Sequence, residues 1–117
     1  MISPLEIDLS HDNPDVWTLK LSGSVDITNH HLLWSIYGEQ ALLEKILETE
    51  AKKLVIDLSE VDRMDSQGLR HLHDIYRLFE STDIQLTLKN PNSHLYRLLQ
   101  IMQFDTIYNV EFDNNQP

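Results

Sequence analysis

The stretch from Leu54 to Gly68, LVIDLSEVDRMDSQG, constrains the fold more than any other because it sets a serine at a strand-to-helix junction. Leu54, Val55 and Ile56 are a short apolar, partly β-branched run that reads as a buried strand. Asp57, Ser59, Asp62 and Asp65 read as a polar turn after it. From Leu69 the apolar residues recur at Leu72, Ile75, Tyr76 and Phe79, one face of a helix, with Asp65 or Ser66 suited to cap its first turn. Ser66 is thereby expected at a helix entrance, where free backbone N–H groups and the positive end of the helix dipole stabilise a phosphate. Phosphorylation there would add roughly 1.5 to 2 negative charges and three acceptor oxygens, beside Asp65 and near Asp62. The same position also suits a serine that does nothing but cap the helix.

The residues LVIDLSEVDRMDSQGL resemble the signature of STAS domains, the family of bacterial anti-sigma-factor antagonists. The matching elements are Asp57-Leu58-Ser59 at the end of a strand and Asp65-Ser66-Gln67-Gly68 at the turn into a helix. Gly23-Ser24-Val25-Asp26 is similar to the family's turn after the second strand. Gln67 stands where the family usually has a small residue, and Ser24 where an acidic one is commoner.

The resemblance spans nearly the whole chain and implies an α/β fold: a single STAS-like domain over residues 1–117, with a mixed four- to five-stranded sheet, helices packed against it and a polar tail from about Asp113. It further implies that Ser66 is the phosphoacceptor of a partner serine kinase that doubles as an anti-sigma factor, with a phosphatase to reverse the mark. Asp26, Asp62, Met64, Asp65, Gln67, Gly68 and Arg70 would form the partner-binding surface, extended by His73 and Asp74. Gly68 is expected to let a partner backbone approach Ser66, so that Gly68→Leu keeps its fold and loses binding; the other reading is that Gly68 packs tightly against the sheet. A constitutive scaffold or transporter-complex subunit without a phospho-switch is the alternative function.

Composition narrows the chemistry. Its 117 residues suffice for one domain with its own core, and 41% apolar content with 24% charged residues is that of a globular chain. With no cysteine, disulfides, thiolate metal sites and cysteine nucleophiles are excluded. A formal charge of −10, from 19 acidic against 9 basic residues, opposes binding to nucleic acid or to an anionic membrane surface. Met1-Ile2-Ser3-Pro4 does not open a signal peptide, and no apolar run approaches the roughly 20 residues of a membrane span. The expected location is the cytoplasm, with no direct membrane insertion.

Leu5, Ile7 and Leu9 alternate with polar residues, as do Trp17, Leu19 and Leu21, which predicts an antiparallel hairpin at the sheet edge with Trp17 on its apolar face. Thr28 to Glu50 is mainly helical, with Leu32, Ile36, Leu43, Ile46 and Leu47 on one stripe. Trp34 and Tyr37 fall opposite that stripe, and Gly38 interrupts it. Either a separate first turn folds Trp34 inward or an aromatic patch is exposed for a homodimer partner. Ile84, Leu86 and Leu88 read as a strand, Asn92 or Ser93 caps a last helix carrying Leu95, Leu98, Leu99 and Met102, and Ile107, Tyr108 and Val110 read as a final strand.

Other chemistries find little support. The pairs His30/His31 and His71/His73 lack the i, i+4 spacing of ligands sharing a helix face, so no metal site or cofactor is expected. No Gly-x-Ser-x-Gly elbow surrounds Ser66, and neither phosphate-cradling glycine motif occurs. Asp62 and Asp65 read as a solvated cap cluster rather than an acid–base pair, and no enzymatic activity is expected.

Overall fold

The computed structural model describes residues 5–25 and 41–113. Asp26, His30, His31, Trp34, Tyr37 and Gly38 lie outside them, and with them most of the helix expected from Thr28 and the dimer patch around Trp34 and Tyr37.

Strands β1 (Glu6–Asn13) and β2 (Val16–Val25) form the expected hairpin, Glu6 facing Ser22 and Leu9 facing Leu19. Asn13 closes the turn by accepting the Asp15 N–H at 2.9 Å. Trp17, Leu19 and Leu21 are buried, and the Trp17 indole donates to Thr49 Oγ1 at 2.8 Å. That bond ties the hairpin to the end of helix α1 (Ala41–Glu48). Ile46 is fully buried, but Leu47 is 49% exposed and does not belong to the core stripe expected of it.

β3 (Lys53–Met64) lies parallel to β2 on one side and to β4 (Gln85–Lys89) on the other. β5 (Asn109–Glu111) completes a five-stranded mixed sheet in the order β1-β2-β3-β4-β5. Consecutive burial of Leu54, Val55 and Ile56 shows that both faces of β3 are covered, because neighbouring side chains point to opposite faces. Helices α2 (Ser66–Phe79) and α3 (Ser93–Ile101) connect the parallel strands.

Two expectations about the strands are corrected. Asp57 to Asp62 is not a turn: β3 runs on to Met64, with two register shifts against β2, between the pairs Lys20/Asp57 and Ser22/Glu60 and between Gly23/Val61 and Ser24/Arg63. Gly23, Ser24 and Val25 likewise belong to β2 rather than to a turn after it. Gly23 sits at φ 89°, a conformation that a side chain would strain, and it lies beside the second shift. The last strand is also shorter than expected, since Ile107 and Tyr108 precede it.

Candidate functional site around Ser66

Asp65, not Ser66, caps α2. Its extended backbone (φ −93°, ψ −172°) lets Oδ1 accept from Gln67 N at 2.9 Å and Gly68 N at 3.2 Å. Its own N–H donates to the Val25 carbonyl at 3.0 Å, which fixes the helix start against the end of β2. Ser66 is therefore the first helical residue, and it is exposed.

The helix buries Gly68, Leu69, His71, Leu72, Ile75 and Phe79. Ser66, Arg70 and His73 stay exposed and follow one another at helical spacing along one stripe. His71 is buried while His73 is exposed, so the two histidines do not share a face.

The stripe forms one wall of an open cavity of about 380 Å³ lined by Ser66, Leu69, Arg70, His73, Met102 and Phe104. Met102 is 53% exposed, and Phe104 opens a single 3-10 turn (Phe104–Thr106) after α3. Two contacts hold this far wall in place. Asn92 caps α3 by accepting from Leu95 N at 2.8 Å, and its amide donates to the Val61 and Asp62 carbonyls at 3.2 Å each, pinning the helix to β3. Tyr108 donates its hydroxyl to the Leu72 carbonyl at 2.6 Å, pulling the segment after Phe104 onto α2. His73 and Phe104 face each other across the cavity with ring centroids 6.3 Å apart.

The residues expected on a partner surface divide. Asp62, Ser66 and Arg70 are exposed, and Asp65 and Gln67 are partly so. Met64 is 5% exposed and Gly68 is buried. A Cβ on Gly68 would overlap Met64 Cγ and lie 2.9 Å from Val25 Cγ1. Gly68 thus packs against the sheet, and the expectation that Gly68→Leu keeps its fold is corrected. Leu69, Met102 and Phe104 were not anticipated as site residues; the apolar spacing that places Met102 at the end of α3 was the available signal.

The site is thus an exposed serine on the first residue of a helix that Asp65 caps, at the end of a strand in a mixed α/β sheet. The chain belongs to the STAS-domain family, whose model matches residues 9–115. Its fold is that of the anti-sigma factor antagonist SpoIIAA. The unphosphorylated form superposes with a TM-score of 0.70 at 16% identity, covering 93% of this chain and 90% of that one. The phosphorylated Bacillus form gives 0.68 at 16% identity, covering 93% and 94%. By sequence the chain is 26% identical over 97 residues to sulfate transporter 1.3 of Arabidopsis thaliana, which is 78% of this chain and 15% of that protein. No helix among the described residues is long and apolar enough to cross a membrane.

Proposed function

We propose that this chain is a phosphorylation-switched protein-binding regulator of the anti-sigma-factor-antagonist type, acting in the cytoplasm and without catalytic activity of its own. Unphosphorylated, the surface of Asp62, Asp65, Ser66, Gln67 and Arg70, with Asp26, docks on a serine kinase that doubles as an anti-sigma factor. Phosphorylation of Ser66 releases that partner, and a phosphatase restores binding. The observation that carries the reading is the placement of Ser66, an exposed hydroxyl on the first residue of α2 beside the Asp65 cap and at the edge of an apolar groove. SpoIIAA, whose fold the chain shares, has been solved with and without its phosphate. A useful switch needs a coupling of about 1–3 kcal/mol, a factor of about 5 to 150 in affinity, and new charge on a docking surface supplies that order of energy.

The test is to incubate the protein with ATP and an anti-sigma-type serine kinase and to map the modified residue by mass spectrometry. Ser66 should carry the phosphate, with Ser59 and Ser81 as internal controls, and Ser66→Ala should remain unlabelled. Equal labelling of Ser66→Ala and the parent would remove the proposal.

The similarity to a sulfate transporter supports a second reading, a constitutive STAS module of a transport assembly in which Ser66 is an ordinary helix residue. Such a complex would form with equal affinity whether or not Ser66 is phosphorylated.

A further inference from the structure

Ser66 and Arg70 are one turn apart on α2, the spacing at which helix side chains meet. Both line the groove, the apolar part of which is Leu69, Met102 and Phe104. Arg70 and His73 are the titratable side chains in that lining; no carboxylate is part of it. Asp65, the nearest acid in the chain, turns Oδ1 to the amides of Gln67 and Gly68. Asp74 is one turn beyond Arg70 on α2 itself, and Asp62 and Asp105 lie on neighbouring segments; none of the three lines the cavity. Among the described residues Arg70 makes no ion pair, whereas Arg77 further along the same helix is matched with Glu80 at 3.4 Å.

We propose that a phosphate on Ser66 is received within the same helix by Arg70, and that the resulting ion pair lies across the mouth of the groove. The inference rests on Ser66 being the modified residue and adds how the modification acts. A phosphate presents three acceptor oxygens, and a guanidinium can bridge two of them in its planar fork. The pair cancels part of the new charge, so a partner meets less repulsion than the phosphate alone would produce. It also holds a hydrated dianion and its counter-ion over Leu69, Met102 and Phe104, where an apolar partner side chain would otherwise enter. Phosphorylation then acts by closing the groove as well as by charging the surface. A carboxylate at position 66 brings one charge and two acceptor oxygens where a phosphoserine brings roughly 1.5 to 2 charges and three, so Ser66→Asp reproduces the effect incompletely.

The test uses the full chain with phosphoserine installed at position 66 by genetic encoding, so that no kinase is needed. Phosphorus NMR follows the second ionisation of the phosphate, which normally falls near pH 6. That ionisation should occur about half a pH unit lower with Arg70 present than in Arg70→Gln, the size expected for an exposed ion pair. Arg77→Gln should titrate like the parent. The Met102 methyl resonance, on the opposite wall, should move on phosphorylation of the parent and stay in place in Arg70→Gln. Coincident titration curves for the parent and Arg70→Gln would overturn the inference, as would a Met102 shift that ignores Arg70. Failure of a kinase to modify Ser66 would instead count against the proposed function, and leaves this comparison intact.

Discussion

The Met64 side chain occupies the space into which a Cβ on Gly68 would project. The last residue of β3 and the first turn of α2 therefore approach so closely that only a hydrogen fits between them. Gly68→Ala forces Met64 and Val25 to shift and should destabilise the domain by about 1–3 kcal/mol, with Gly68→Leu costing more. The measurement is chemical denaturation of both variants. A Gly68→Leu protein as stable as the parent would show that the two elements can separate freely.

Asp65 combines a structural task with a charge beside Ser66, and two substitutions divide them. Asp65→Asn keeps an oxygen acceptor for the Gln67 and Gly68 amides and should retain stability, whereas Asp65→Ala removes the cap and should lose about 1 kcal/mol. If the charge matters to the partner, Asp65→Asn should weaken binding in calorimetry while melting near the parent temperature.

Ser66 is exposed and outside the core, so Ser66→Ala and Ser66→Asp should both fold, as circular dichroism would verify. Ser66→Ala should bind the partner kinase as the parent does, and Ser66→Asp should bind more weakly. Parent-like affinity in Ser66→Asp would weaken the charge-based part of the switch.

Tyr108 is buried, and its hydroxyl reaches the Leu72 carbonyl across 36 residues of chain. Tyr108→Phe deletes that bond without changing the ring and should lower stability by about 1 kcal/mol. Because Tyr108 N also donates to the Phe104 carbonyl at 2.9 Å, amide exchange should rise around Phe104 as well.

Thr87 on β4 is fully buried, and its hydroxyl oxygen has no hydrogen-bond partner among the described residues. Thr87→Val replaces that hydroxyl by a methyl of similar size and should leave stability unchanged or raise it by about 1 kcal/mol. A marked loss in thermal denaturation would mean that the hydroxyl is satisfied in solution.

The hairpin and the amphipathic face of α2 were legible in sequence because both rest on local periodicity. The length of β3 was not. Its pairing with β4 ends at Asp57–Lys89, while pairing with β2 continues to Val25–Met64. The second half of β3 consequently has a strand on one side alone, which permits Ser59, Glu60, Asp62 and Arg63 to be exposed and gives a strand the composition of a turn. Ser66 could be placed by motif and helix spacing. The wall opposite it could not, since the position of Met102 and Phe104 depends on Asn92 reaching Val61 and Asp62 and on Tyr108 reaching Leu72.

The split origin of the groove has a consequence for a chain still being synthesised. Ser66 leaves the ribosome well before Met102 and Phe104, so a nascent or truncated product displays the hydroxyl with one wall missing. A partner that grips both walls would pass over that half-made surface, and docking of that kind would be a property of the finished tertiary structure and not of the peptide around the serine.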